Sequence, residues 1–333
     1  MDKKALVPPG LNYLADNIIL KDNILGASKE EGARWARGLG LSKDRETIFF
    51  AGCGYQFDSK LESLMGLIRR MDKSVVGADA AMGLAGFQKK LGLDGVFMKM
   101  VGRGGKEDGE PLKDAVKVLR KLGLDVGYLG EEEPCCGGLL HYMGAREEFV
   151  QHARQTSDKL KSKGVKQIIS LVPSCTYTLH KLMSEINSGQ SFEVRHFCQV
   201  VAAGLPALHL RFPGQARVTY HDPCQLVRYL GLIDEPRQIL RSIQGLEFVE
   251  PKWTKGEWST CCGGGGGFEA VFPEMSEMLA ANRARELQET GAQIIVTQCP
   301  GCIMQLRTGL KAVKAENIAV LDLAQLVAMS LEE

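Results

Sequence analysis

Short apolar runs alternate with amphipathic stretches along most of this chain. ETIFFAG (46–52), DVGYLG (125–130), KQIISLV (166–172), RVTYH (217–221), LEFVE (246–250) and QIIVTQ (293–298) are too short for buried helices. They are rich in β-branched and aromatic residues, and each predicts a strand. Between them the period changes. In DSKLESLMGLIRR (58–70), Leu61, Leu64, Met65 and Ile68 recur at i, i+3, i+4 and i+7, one face of a helix. Pro273 and Gly291 bracket another helix, proline inside its start and glycine past its end. Strands that alternate with helices imply parallel sheets joined by crossover helices, an α/β fold.

The pattern also repeats. ARQTSDKLKSKGVKQIISLVPSCTYTL (153–179) resembles ANRARELQETGAQIIVTQCPGCIMQL (281–306). In both, a polar helical stretch ends at a glycine suited to a left-handed C′ position, Gly164 or Gly291. A strand run follows, and a cysteine falls 11 residues after the glycine, at Cys175 or Cys302. Cys135-Cys136-Gly-Gly and Cys261-Cys262-Gly-Gly form a second matching pair, and Cys53 and Cys224 a third. Val172 then stands opposite Cys299. The duplication divides the chain into an arm (1–45), a first unit (46–205) with an insertion at about 72–112, and a second unit (206–333). A linker is expected near 204–215. The insertion, rich in glycine and methionine with a short helix, reads as a surface element or a docking surface.

Composition narrows the functional classes. With 44% hydrophobic and 24% charged residues the chain is globular, and a net charge of +1 gives no reason to expect nucleic acid. No apolar run approaches the roughly 18 residues that span a bilayer. MDKKALVPPG lacks the apolar segment of a secretory signal, so a cytoplasmic location is expected. There the ten cysteines should be thiols or metal ligands.

Four chemistries compete for Cys224, Cys261, Cys262, Cys299 and Cys302. A phosphate loop fails because GGGGG (263–267) leads into Phe-Glu, not Lys-Ser/Thr, and no complete GxGxxG follows a strand. A redox Cys-Pro-Gly-Cys alone leaves three regularly spaced cysteines unexplained. Structural zinc takes four ligands, and five thiolates in a 1+2+2 arrangement fit it poorly. An iron–sulfur cluster held by several loops fits better. Among other residues, His221 is either a proton donor or a residue orienting the loop, and Asp222 reads as a structural turn residue. Cys198 reads as core, His141 as packing, Arg228 as helix surface, and Met275 and Met278 as core or interface.

The pattern C-x36-CC-G-x35-C-x-x-C, with YHDPCQLVR around Cys224 and a paired Cys-Cys-Gly in each half, resembles the CCG cysteine-rich domain of heterodisulfide reductase B/D-type subunits. That family is related to the iron–sulfur subunits of glycolate, lactate and glycerol-3-phosphate oxidising enzymes. The resemblance covers roughly residues 46–333, and DNILGASKEEGARWARGLGL in the arm resembles the connector that follows a ferredoxin-like domain in longer D-type subunits. It implies two pseudo-symmetric CCG domains, each a small parallel sheet flanked by helices with a metal site at the strand C-terminal ends. It implies a noncubane [4Fe–4S] cluster on the five C-terminal cysteines; His221, three residues before Cys224, is the catalytic candidate on its position in the sequence. Cys53, Cys135, Cys136 and Cys175 would hold a second [4Fe–4S] cluster or zinc. The implied activity is reduction of a small disulfide, or oxidation of thiols. The implied partners are a ferredoxin-like subunit and a flavoprotein subunit, through which any membrane association would run. Electron transfer to quinone and a zinc-stabilised interaction module are the alternative functions.

Overall fold

The apolar runs ETIFFAG, KQIISLV and QIIVTQ become strands largely buried on both faces, as parallel strands covered by helices must be. The computed structural model describes residues 8–72, 108–187 and 192–332. Most of the expected insertion, with its short helix, therefore lies outside the described residues. A three-stranded parallel sheet comprises β1 (Thr47–Phe50), β2 (Gln167–Ser170) and β3 (Glu193–His196), in the order β1-β2-β3. A four-stranded one comprises β4 (Arg211–Tyr220), β5 (Gln244–Val249), β6 (Ile294–Thr297) and β7 (Ala319–Asp322), in the order β5-β4-β6-β7. All their pairings are parallel.

Helices α1 (Pro9–Lys21), α2 (Asp58–Asp72), α3 (Glu110–Lys121), α4 (Arg146–Ser162) and α5 (Phe197–Gly204) accompany the first sheet. Helices α6 (Asp234–Ser242), α7 (Pro273–Gln288), α8 (Pro300–Ala312) and α9 (Leu323–Met329) accompany the second. The chain is thus an α/β protein of two small parallel sheets flanked by helices. Ile48, Phe49, Phe50, Ile295 and Val296 are fully buried, each contributing roughly 1.5–3 kcal/mol of apolar transfer if large.

The duplication extends to details. Gly164 and Gly291 both adopt positive φ, 69° and 71°, after α4 and α7. His196 ends β3 and Asp322 ends β7, and each side chain caps the helix that follows in a capping box, with Gln199 or Gln325 as the reciprocal partner. DVGYLG, expected as a strand, is reduced to one bridge. Gly127 pairs with Ile48, at the edge that β5 occupies in the second sheet. The segment then turns away, Tyr128 N–H donating to the Ser42 carbonyl at 2.9 Å. The linker near 204–215 is shorter than expected: Leu205–Ala207 form one turn and β4 begins at Arg211.

Candidate metal centre

Each cysteine group follows the carboxyl end of a strand or bridge, closely at Cys53, Cys175, Cys224 and Cys299 and after a longer loop at Cys135 and Cys261, on the side where open α/β sheets place their sites. In the first half Cys53 follows β1, Cys135-Cys136 follow the Gly127 bridge, and Cys175 follows β2. Cys136 Sγ lies 3.3 Å from Cys175 Sγ, and Cys53 Sγ lies 4.0 Å from Cys135 Sγ. In the second half Cys262 Sγ lies 3.3 Å from Cys302 Sγ. No disulfide links any of the ten thiols. Val172 and Cys299 occupy equivalent places, each in extended backbone immediately before the proline that begins the next helix. The valine fills its corner with an isopropyl group where the second half offers a sulfur.

The loops are shaped to the sulfurs. Gly137 N–H donates to Cys135 Sγ at 3.4 Å, and Gly263 N–H to Cys261 Sγ at 3.3 Å. Such bonds favour thiolate over thiol and tune any cluster's potential. Gly52, at φ 69°, has no room for a side chain: a Cβ would stand 3.0 Å from Cys175 Sγ and 3.1 Å from Val172 Cγ2. At Gly263 a Cβ would meet the Ser276 carbonyl oxygen at 2.3 Å. A π-helical turn follows Cys175 after two residues (Thr178–Leu182) and Cys224 directly (Gln225–Tyr229), a rare conformation that clusters at functional sites.

The two centres differ in access. Cys53, Cys135, Cys136 and Cys175 are all buried, whereas Cys261 is exposed and Cys224 and Cys299 are half-buried. Their acidities differ too. Hydrogen-bonding contacts with Cys261, then with Cys302, hold Cys262 well below the ordinary thiol value. Burial, then the neighbouring Cys299, pushes Cys224 up to about 11. In the first half the Cys135 contact and burial hold Cys53 well above it. Crowded, unbonded thiols with backbone donors aimed at them suit thiolates gathered around an inorganic core.

His221 is 1% exposed. Its Nδ1 accepts a hydrogen bond from Arg283 Nε at 3.0 Å, and burial lowers its pKa. A ring nitrogen of His221 and the sulfurs of Cys262 and Cys302 lie within 4.8 Å of one another. Asp222 accepts two bonds from Arg237, at 2.8 and 2.9 Å, and one from Gly256 N–H, so it holds the loop. Cys198 is fully buried beside His196 Nδ1, at 3.1 Å. His141 packs its ring on Phe149 and Tyr142. Arg228 is exposed but donates to the Glu257 and Ser259 carbonyls, steadying the strand of loop that leads to Cys261. Met275 and Met278 face outward, 53% and 65% exposed, which excludes the core reading.

Sequence reasoning missed several residues that shape the site. From the arm, Asp22 accepts the Cys135 N–H at 2.7 Å, and Lys29 donates to the Glu133 carbonyl at 2.8 Å. Glu133 accepts from the Ala51 and Gly52 N–H groups ahead of Cys53; burial lifts it to about 7 against those bonds. The ligand loops of the two halves also touch. Pro300, between Cys299 and Cys302, lies 2.7 Å from a Cβ placed on Gly54. Tyr55 donates to Asp322, Tyr142 to Gln225 Oε1 at 3.1 Å, and the rings of Tyr177 and Tyr229 meet edge-on at 5.0 Å.

The family model of the CCG cysteine-rich domain matches residues 101–180 and 218–307, together about half of the chain. The chain belongs to the CCG cysteine-rich domain family. The first matched region contains Cys135, Cys136 and Cys175, and the second contains all five C-terminal cysteines. A relative from Methanosarcina barkeri, the D-type polypeptide of dihydromethanophenazine:CoB–CoM heterodisulfide reductase, is 35% identical over 225 residues, 65% of this chain and 54% of that one. The EtfAB:quinone oxidoreductase of Syntrophomonas wolfei is 32% identical over 237 residues, 68% of this chain and 32% of that one. An uncharacterized iron–sulfur protein of Methanocaldococcus jannaschii is 31% identical over 223 residues, 65% and 42% of the two chains. The relatives include oxidoreductase subunits and iron–sulfur proteins, and this chain spans about half the length of the reductase polypeptides. Among the described residues no helix is long and apolar enough to cross a membrane.

Proposed function

We propose that this CCG protein is the iron–sulfur subunit of a multi-subunit oxidoreductase, working at its C-terminal centre on a disulfide or its thiols. The observation that carries this reading is the unequal exposure of two otherwise matched cysteine centres. The buried four-cysteine centre suits electron storage and relay. The five-cysteine centre, with Cys261 exposed and Cys224 and Cys299 half-buried, suits contact with a substrate. Cys224, Cys261, Cys262, Cys299 and Cys302 would hold a noncubane [4Fe–4S] cluster. Cys53, Cys135, Cys136 and Cys175 would hold a [4Fe–4S] cluster, with zinc as the other metal four thiolates accept. Such clusters supply electrons one at a time to a reaction that needs two.

The balance is RSSR′ + 2e⁻ + 2H⁺ → RSH + R′SH, with the electrons arriving from a ferredoxin-like or flavoprotein partner. The chain's own residues hold the sulfurs in place through glycine N–H groups, exclude water from the inner centre, and keep the two halves in contact through Tyr55, Tyr142 and Tyr177. Trp253 and Trp258, 84% and 80% exposed on the loop before Cys261, offer aromatic surface beside the open centre for substrate or partner. The relative described as a quinone oxidoreductase favours a second reading, in which the same centres pass electrons to quinone and never meet a disulfide.

Turnover by the anaerobically purified protein with a reduced one-electron dye separates the two. Dye oxidation dependent on a small disulfide, with stoichiometric thiol release, is expected. Oxidation with a quinone only would establish the second reading.

A further inference from the structure

Arg283 lies in the middle of α7, within a stretch whose sequence reads as polar helix surface, yet it is fully buried. Its Nε–H donates to His221 Nδ1 at 3.0 Å. Its Nη1 donates to the Thr254 carbonyl at 2.9 Å and forms an ion pair with Glu286 at 2.7 Å. Nη2, on the guanidinium edge it shares with Nε, is buried and meets no acceptor among the described residues. A guanidinium has donors only and does not lose its proton. The Nδ1 lone pair must therefore receive the bond, which leaves the neutral ring's proton on Nε2. That N–H belongs to a ring within 4.8 Å of the Cys262 and Cys302 sulfurs.

The other half provides an internal comparison. By sequence spacing and strand register His221 corresponds to Phe50, three residues before Cys53. Counting from Gly164 and Gly291, Arg283 corresponds to Thr156. Thr156 donates to the Cys135 carbonyl at 3.2 Å, so its helix position faces the same loop. Both members of the pair are present in the open half, and both are replaced in the closed half by residues that cannot make the contact.

We infer that Arg283 and His221 form a positioning relay peculiar to the C-terminal centre, in which the arginine fixes the Nε2–H tautomer and the histidine donates that N–H to the Cys262 sulfur. This rests on the iron–sulfur reading above, and it gives His221 a hydrogen-bonding role in place of the imidazolium that a proton donor requires. A donor to sulfur, with a buried cation behind it, favours the reduced, more negative state of a cluster. Removing either should make reduction of that centre harder.

The test is a redox titration followed by EPR on the anaerobically purified chain. His221→Phe and Arg283→Met should each lower the C-terminal centre's reduction equilibrium at least tenfold, about 59 mV for one electron, while the N-terminal signal stays put. His221→Gln, which keeps a donor, should recover most of the shift. Unchanged potentials in variants that retain their iron would overturn the relay. Should the variants lose metal, ¹⁵N shifts of His221 in the wild-type, zinc-loaded chain decide the matter. Protonated Nε2 with bare Nδ1 is expected; a protonated Nδ1, or Nε2 bound to the metal, refutes it. Wild-type protein without iron would sink the functional reading instead, and leaves the tautomer measurement to judge the relay alone.

Discussion

Asp322 shows how one buried carboxyl can serve both the fold and the site. It caps α9 by accepting the Ala324 N–H at 2.8 Å, accepts from the Tyr55 hydroxyl of the other half, and is lifted to about 7 by burial. Its folded pKa exceeds the unfolded value near 3.9, so the native state binds more protons between roughly pH 4 and 7. The resulting stability is complete below pH 4 and is lost as pH rises through 7. Asp322→Asn keeps the cap and removes the titration. In chemical denaturation, the wild type's advantage over this variant should shrink by about 2–4 kcal/mol between pH 4 and pH 8. A constant difference would mean the carboxyl does not carry that proton. At this scale the cysteines were legible from spacing alone, including Val172 opposite Cys299. Arg283 was not, because it meets His221 from 62 residues away and an arginine in a helix reads as solvated surface.

At the scale of elements, strands with three or four buried residues were readable wherever β-branched runs marked them, as in KQIISLV and QIIVTQ. Two strands escaped. Glu193–His196 alternates exposed and buried positions over only four residues, and Ala319–Asp322 is as short with a charged end; neither differs in pattern from a loop. DVGYLG failed for the opposite reason, its pattern being overridden when Tyr128 bonded to the Ser42 loop. The connection from β1 to Cys53 depends on Gly52, whose φ of 69° and contact with Cys175 Sγ leave no space for Cβ. Gly52→Ala should cost about 1–3 kcal/mol of backbone strain and displacement. It should empty the N-terminal centre of metal while the C-terminal centre keeps its own, as metal analysis with EPR would read. Full metal content in both would show that the loop has slack the structure does not suggest.

For the whole molecule, duplication explains the architecture, and departure from it would underlie the division of labour proposed for the two centres. Two sheets of matching order, matched C′ glycines and matched capping boxes place two sets of thiols at equivalent sheet edges. The halves then diverge where chemistry would differ: Val172 for Cys299, Phe50 for His221, Thr156 for Arg283, and burial for exposure. The arm buttresses the closed centre through Asp22 and Lys29, a contribution its sequence did not announce because both contacts span about a hundred residues. The fold class and the cysteine sets were thus visible in one dimension, and the pairing of the halves through Tyr55, Tyr142 and Tyr177 only in three.

The central claim, that the open five-cysteine centre is an iron–sulfur site distinct from its closed counterpart, is tested most directly by EPR, with iron and acid-labile sulfide analysis, on anaerobically purified wild type, Cys262→Ser and Cys135→Ser. Iron and sulfide in equal amounts are expected. Cys262→Ser should abolish one signal and all turnover, while Cys135→Ser leaves that signal in place. A colourless wild type free of iron, or loss of the active signal in Cys135→Ser but not in Cys262→Ser, would contradict the account.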